Sequence, residues 1–225
     1  MATMEHNKLL FRTKGQLVYE RIKNEIANGA LTPGMRVSAV ELAQKFGVSR
    51  TPVNDAVKML AEQGLVKILP NVGFEIMVLV WEDIKELMYL KGSLEKLAVR
   101  LTLETKEAIR LEPLHATLRA IRTAITESNS AAYYQLTEEF HFAYIRLSRR
   151  TISFDMYKKL WDYESWYAKC LENKKTELLS ILEDHEKLLD AIQNRNQKLA
   201  DELSDGHTEN CIRFVHRNME ASGML

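Results

Sequence analysis

Between Ser38 and Gly73 the chain runs SAVELAQKFGVSRTPVNDAVKMLAEQGLVKILPNVG, and this string constrains the fold more than any other part of it. Ser38 precedes Glu41 by three residues, the capping-box spacing that satisfies free amides at a helix start. Leu42, Ala43 and Phe46 give a short apolar face, and Gly47 stands where a left-handed helix end favours glycine. Ser49 is a second N-cap residue, and Pro52 is tolerated in the first turn of the helix it opens. Val53, Ala56, Val57 and Leu60 follow at i, i+3, i+4 and i+7, the stripe of a helix packed on one side. Gly64 ends that helix. Leu65–Leu69 and Phe74–Val78 predict two short strands about the turn Pro70-Asn71-Val72-Gly73. Two helices joined by a tight glycine-bearing turn, then a hairpin, make a winged helix-turn-helix. Arg50, Thr51, Asn54 and Lys58 then lie on the outer surface of its second helix. An ordinary helical pair beside a hairpin is the plainer alternative; caps, turn, stripe and hairpin together argue against it.

At 225 residues the chain has room for one large domain or two small ones. Residues 1–10 carry no pattern and are expected to form a flexible tail. Val18, Ile22 and Ile26 mark a first helix over 15–28, ended by Gly29, and Leu31-Thr32-Pro33-Gly34 is a turn. From Trp81 the pattern turns helical and no further strand signal follows. Breaks at Thr105, Ser128–Ser130, Ser148–Thr151, Asn173 and Asn194–Asn196 divide the remainder into six helices. The expected architecture is mainly α: a winged unit of three helices and a hairpin over 11–80, then an all-helical bundle over 81–225.

The chain as a whole is electrically neutral, but not evenly so. Residues 1–80 hold ten Lys/Arg against seven Asp/Glu, and residues 81–225 hold 21 against 24. A mild basic surplus gives only weak, salt-sensitive attraction to phosphate, so base contacts must carry any specificity. Cys170 and Cys211 fit a reducing compartment better than a disulfide framework. No apolar run is long enough for a signal or a membrane span, which excludes a membrane role and predicts a cytoplasmic protein.

The winged stretch resembles the DNA-binding domain of GntR-family transcription regulators. The matching residues run from Gly29 to Ser38, then Glu41-Leu42-Ala43, Gly47 to Val53, Leu60 to Val66 and Pro70 to Gly73. A winged unit followed by a helical bundle resembles the FadR subfamily, whose second domain is called FCD; six helices favour its VanR-like branch. Leu87 to Glu95 resembles the family's first-helix motif, in which Arg or a similar residue occupies the Lys91 position. The resemblance implies that Arg36, Ser49, Arg50, Thr51, Asn54, Lys58 and Gly73 meet DNA. Arg50 is then the candidate for a bidentate guanine contact, and Gly73 lets the wing tip enter the minor groove. Val40, Asn54 and Val72 stand where the family is commonly basic. Asn54 can still read adenine, whereas the two valines replace no phosphate contact, so a different operator and lower affinity are expected.

Three histidines lie on apolar stripes of three different helices. His185 is central among Leu178, Ile181, Leu182, Leu188, Leu189 and Ile192. His207 is in phase with Leu199, Ala200, Leu203, Cys211 and Phe214, and His141 edges the stripe of Leu136, Phe140, Ala143, Tyr144 and Leu147. A single such histidine is usually a structural residue with a satisfied partner. Three of them buried without a shared partner would leave several costly unpaired nitrogens, which one divalent transition metal would satisfy together. The resemblance points the same way, because the metal-binding FCD pattern has an Asp-x-x-x-His pair and two later histidines. His141, His185 and His207 fall on the histidine positions, with Thr137 at the usual aspartate. Three histidines plus water, or Glu138 reaching in from the next position, would complete the shell. Losing the carboxylate favours zinc or nickel over magnesium or calcium. His115 and His216 flank stripes, and His6 is in the tail.

Lys91 is in phase with Ile84 and Ala98. Either its stem snorkels to the surface or its ammonium lines a pocket and pairs with an effector carboxylate. The aromatic run Phe154, Tyr157, Trp161, Tyr163, Trp166 and Tyr167 reads as core rather than a cofactor site, and the Glu/Lys run at 172–177 as a solvated face. The expected function is a dimeric, ligand-responsive regulator that binds a double-stranded operator, a repressor released by a small carboxylate at the histidine-held metal. Two rivals remain: the same regulator with a metal-free effector pocket, and a metal-dependent enzyme. The enzyme reading lacks an in-phase Glu or Asp as general base and leaves the winged unit without purpose.

Overall fold

The computed structural model describes residues 13–27, 29–168 and 174–221, with the side chains of 27 and 165–168 excepted. The chain parts at Val80–Trp81 into two compact units. In the first, α1 (Lys14–Ala27), β1 (Arg36–Val37), α2 (Ala39–Phe46), α3 (Arg50–Glu62), β2 (Val66–Leu69) and β3 (Gly73–Ile76) follow one another. In the second, described from Trp81 onward, six helices follow: α4 (Trp81–Glu104), α5 (Glu112–Thr126), α6 (Ser130–Arg146), α7 (Thr151–Ala168), α8 (Lys175–Gln193) and α9 (Gln197–Ala221). Among the described residues no helix is long and apolar enough to cross a membrane. The tail with His6, the break at Asn173, Cys170, and the side chains of Trp166 and Tyr167 fall outside the described residues.

The winged unit forms by the signals in its sequence, with three refinements. Ser38 caps α2, but its hydroxyl accepts from Val40 N at 3.2 Å rather than from Glu41. Gly47 ends that helix at φ 66°. A reciprocal capping box sits instead at the start of α1: Thr13 Oγ1 accepts from Gln16 N, and Gln16 Oε1 accepts from Thr13 N. Its T-x-x-Q spacing is plain in the sequence. The third refinement is strand β1, too short to show a pattern, which makes the hairpin a three-stranded sheet in the order β1-β3-β2. Both pairings are antiparallel, with Arg36 and Lys67 opposite Glu75. Phe74 and Ile76 of β3, Val53, Ala56, Val57 and Leu60 of α3, and Val18, Ile22 and Ile26 of α1 are all buried and form the apolar core of this unit.

The helical unit breaks at the polar punctuation of its sequence: helices end at Glu104, Thr126, Arg146 and Gln193, each within two residues of an expected break, whereas α5 opens only at Glu112, seven residues after Thr105. Helix α4 lies along α9 at unusually close range. A Cβ on Gly92 would stand 2.2 Å from Thr208 Oγ1, so only glycine admits that approach. Salt bridges Lys96–Asp205 and Arg100–Asp201 line the same seam, beside the Tyr89–Glu209 hydrogen bond. The stripes hold in phase but not at every member: Leu199 is exposed, while Ser204 and Asn218 are buried on α9.

Candidate functional site

Two places are built for chemistry, one in each unit. On the winged unit the outer face of α3 carries Arg50, Thr51, Asn54 and Lys58, all exposed, while Pro52, Val53, Ala56 and Val57 of the same helix are buried. Ser49 occupies the N-cap position but makes no side-chain cap bond, so its hydroxyl faces outward free of the helix. Arg36 is exposed on β1 and pairs across the sheet with Glu75, Nε to Oε2 at 3.2 Å. Its charge is therefore partly answered within the protein, which the sequence did not reveal. Gly73 has a job beyond the wing tip. At φ 144° it lies so close to β1 that a Cβ would fall 2.1 Å from the Val37 carbonyl oxygen. Val40 and Val72 are both exposed, which leaves two apolar groups on the surface where the family resemblance expects cations. Lys67, absent from the sequence reading, is an exposed cation on the wing.

In the helical unit the three histidines come together. The His141 and His185 ring centroids are 4.9 Å apart, and those of His185 and His207 are 4.3 Å apart. All three are buried, and His141 is as deep as the others rather than at an edge. Among the described residues the buried side-chain atoms lacking a hydrogen-bond partner are Thr137 Oγ1, His141 Nδ1, His185 Nε2 and His207 Nδ1. These are the four positions at which the resemblance places metal ligands. Tyr133 lies close to Thr137. Leaving such an atom unpaired costs about 1–3 kcal/mol; two of the four, His141 Nδ1 and His207 Nδ1, face carboxylates, and His185 Nε2 is the ring nitrogen with nothing facing it.

Two carboxylates stand behind the rings. Glu95 Oε1, from α4, is 3.0 Å from His141 Nδ1, and Asp184 Oδ2, from α8, is 3.7 Å from His207 Nδ1. Neither completes a well-aimed hydrogen bond, yet each faces one nitrogen of its imidazole and leaves the other for a ligand. Glu95 was quoted only as part of the first-helix motif; its burial beside His141 supplies the in-phase acid that the sequence reading found lacking. Burial works to raise its pKa, but His141 and Lys91 outweigh that and hold it well below the ordinary carboxylate value. Burial lowers the pKa of His141 against the pull of Glu95, and lowers that of His185 further, with His207 and His141 adding to the effect. Both rings are therefore neutral at pH 7, the form that binds metals. His207 goes the other way: burial opposes its charge, but Cys211 and then Asp184 raise its pKa to about 10.

Lys91 does not snorkel. Its ammonium pairs with Glu164 and sits 4.6 Å from the centre of the Trp161 ring, where Glu164 and Glu95 offset the cost of burying it. Glu138 accepts a hydrogen bond from Trp161 Nε1 at 3.2 Å and so is engaged away from the histidines. Tyr157 and Trp161 are core, and they also wall the site, each facing the His141 ring. As a donor set the site suits a transition metal: His141 and His185 are neutral imidazoles, His207 becomes a ligand once its proton leaves, and carboxylates stand to orient two of the rings. It is not preassembled, because among the described residues no three His, Cys, Asp or Glu groups are placed to hold an ion together. His216 pairs with Glu220 and packs on Trp81, away from this cluster.

Both units resemble known proteins. Residues 14–76 match the family of bacterial regulatory proteins named gntR, and residues 86–210 match the FCD domain. The uncharacterized HTH-type transcriptional regulator YdhC of Bacillus subtilis (strain 168) is 26% identical over 200 residues, covering 88% of this chain and 89% of its own. The HTH-type transcriptional repressor RspR of Escherichia coli (strain K12) is 23% identical over 145 residues, 64% of each chain. In fold, the chain superposes on E. coli McbR/YncC with a TM-score of 0.76 at 22% identity, covering 92% of this chain and 99% of that one. The matched regions take in the exposed face of α3 and all three buried histidines. The chain belongs to the GntR family of bacterial regulatory proteins, carrying the GntR helix-turn-helix domain and an FCD domain, and is a regulator rather than an enzyme.

Proposed function

We propose that this protein is a cytoplasmic, dimeric repressor of the FadR subfamily, in its VanR-like branch. It leaves a pseudo-palindromic operator when a small organic acid binds at a metal held by His141, His185 and His207. The observation that carries the sensing part is the gathering of three buried histidines at one place in the helical unit, His185 Nε2 among them without a partner. The outer face of α3, polar and uncovered, carries the DNA part. Dimerisation follows from the two-fold symmetry of such operators, and exposed Leu90 and Leu97, seven residues apart on α4, offer an apolar face for it.

A bound transition metal would supply a Lewis-acid position for a carboxylate oxygen. The protein's own groups do the rest. Glu95 and Asp184 fix the orientation of two imidazoles, and Tyr157 and Trp161 shield the centre from water. Lys91 gives the effector's negative charge a partner if it exchanges Glu164 for it. An effector releases DNA only by binding one state of the dimer more tightly than the other. A second reading keeps the regulator and omits the metal, with Lys91 and the histidines holding the acid directly. It is favoured by the buried ammonium of Lys91 and by the absence of a preassembled donor set among the described residues.

The test is fluorescence anisotropy of the purified protein on fragments upstream of the genes it adjoins, with random duplex as control. One fragment is expected to bind preferentially, and Arg50→Ala to lose about 1–3 kcal/mol of that preference. Organic acids are expected to weaken binding in zinc-loaded protein and not after chelation. Equal binding to promoter and random duplex under every condition would remove the regulator reading. Release that survives chelation would select the metal-free one.

A further inference from the structure

The family resemblance gives the centre an aspartate at position 137, and this chain has threonine there. A thiol stands on the opposite side of the cluster. Cys211 follows His207 by four residues on α9, so the two share one face a turn apart. Its Sγ lies 3.6 Å from His207 Nε2. Zinc–sulfur and zinc–imidazole bonds meeting at a tetrahedral angle separate their donor atoms by about 3.6 Å. In the metal-free chain this contact is a hydrogen bond, and among the described residues no third His, Cys, Asp or Glu completes an ion site with the pair; its span is that of two ligands on one tetrahedral ion. Asp184 faces the other ring nitrogen of His207, which leaves Nε2 as the metal-facing atom. Beside it His185, buried to more than nine-tenths, presents a ring nitrogen with no partner at all.

We propose that Cys211 is a ligand of this centre, its thiolate replacing the carboxylate missing at Thr137, so that the site is His₃Cys and takes a thiophilic tetrahedral ion such as Zn(II) or Co(II). The inference rests on the metal reading above and adds a donor to it. As the metal binds, the thiol proton and the proton that His207 holds below about pH 10 both pass to solvent, and the thiolate supplies the one negative charge that aspartate would have brought. Soft sulfur in place of hard oxygen moves the preference away from Mg(II), Ca(II) and Mn(II). The sequence alone showed Cys211 only as a member of an apolar stripe.

The experiment is cobalt titration of the full-length, metal-stripped protein, followed by absorption spectroscopy. Bound Co(II) is expected to show intense visible bands of tetrahedral geometry together with a near-ultraviolet thiolate-to-cobalt charge-transfer band. The charge-transfer band is expected to persist in Cys170→Ser and vanish in Cys211→Ser. In the latter, Zn(II) affinity is expected to fall by at least about 100-fold, the upper end of what an outer-shell partner carries. A cooperative melt of Cys211→Ser in chelator establishes that the variant is folded. Visible bands without a charge-transfer band, or a band that survives Cys211→Ser, would overturn the thiolate ligand and leave a three-histidine site standing. No cobalt retained by the parent protein after dialysis would overturn both.

Discussion

The winged unit and the helical unit solve opposite problems. In the first the core is apolar among the described residues, and the side chains proposed to meet a partner are on the outside: Arg36, Ser49, Arg50, Thr51, Asn54 and Lys58 are all exposed, while Gly73 is half-buried. In the second, three histidines, Glu95 and Lys91 are turned into the core, and His185 Nε2 has no partner there. A surface reader can keep a conventional interior because its ligand comes to it. A sensor with its site in the core gives up stability until the ligand arrives. Local rules that all agree mark structure, and the place where they fail marks function.

Glycine gives the largest test of that contrast, because each unit has one position where a Cβ cannot fit. Gly73→Ala combines a positive φ with a collision against the Val37 carbonyl oxygen, a backbone atom that has nowhere to go. Loss of about 3 kcal/mol or more of winged-unit stability is expected, with operator binding lost as the wing detaches from β1. Gly92→Ala collides instead with the Thr208 side chain. It is expected to cost about 1–3 kcal/mol and to be partly rescued by Thr208→Ala, whereas no side-chain trimming rescues Gly73→Ala. Denaturant melts of Gly73→Ala, Gly92→Ala, Thr208→Ala and the Gly92→Ala/Thr208→Ala double variant decide this. A loss in Gly73→Ala no larger than in Gly92→Ala would mean that the wing has slack the structure does not show.

The helical unit offers the next largest effect. Zinc at one hundred times its dissociation constant is expected to stabilise the protein by about 2.7 kcal/mol. His185→Leu is expected to abolish that gain. The same variant is expected to raise the stability of the metal-free protein by about 1–2 kcal/mol, since it removes a buried nitrogen with no partner. Thermal melts with zinc and with chelator measure both. A His185→Leu protein less stable than its parent in chelator would show that the ring is satisfied and structural.

How much of this was legible follows the same division. Helix ends, the Gly47 cap, the α3 stripe and the hairpin could be read because each is a local signal within a few residues. The three histidines could be read because helical phase places them on apolar stripes. Glu95, Asp184 and Cys211 were not assigned roles, because their importance lies in which helix packs beside which. Glu95 and His141 are 46 positions apart and meet only when α4 and α6 do. Strand β1 was missed because two residues carry no alternation, and the Arg36–Glu75 pair went unseen with it.

Titration sharpens the contrast further, since the perturbed histidines lie in the helical unit alone. His141 and His185 have folded pKa values below the ordinary 6.5. As pH falls through that value the unfolded chain takes up protons that the folded one refuses, so stability drops toward acid. His207 is raised to about 10, so between pH 6.5 and 10 the folded chain holds a proton that the unfolded chain has lost. Stability drops toward alkali as well. Metal-free protein is expected to be most stable near pH 6.5–7, with each histidine contributing a slope of about 1.4 kcal/mol per pH unit. Asp184→Asn is expected to flatten the alkaline limb, and His185→Leu the acid one. Stability rising steadily from pH 6 to 9 would contradict the assignment of His207.

The smallest effect belongs to the winged unit and concerns charge rather than shape. Each phosphate neutralised adds about 0.9 to the slope of log affinity against log salt. Lys58 is exposed on α3, and Lys58→Ala is expected to lower that slope by about one while weakening all duplexes alike. Arg36 is also exposed, but Glu75 already holds it across the sheet. A surface pair of this kind is worth at most about 1 kcal/mol, so Arg36 can exchange its partner for a phosphate at little cost. Glu75→Gln removes the competing carboxylate without altering the shape of β3. It is expected to steepen the slope by about one and to tighten binding to operator and random duplex equally. An unchanged slope in Glu75→Gln would place Arg36 outside the DNA contact, and the interface would narrow to the face of α3.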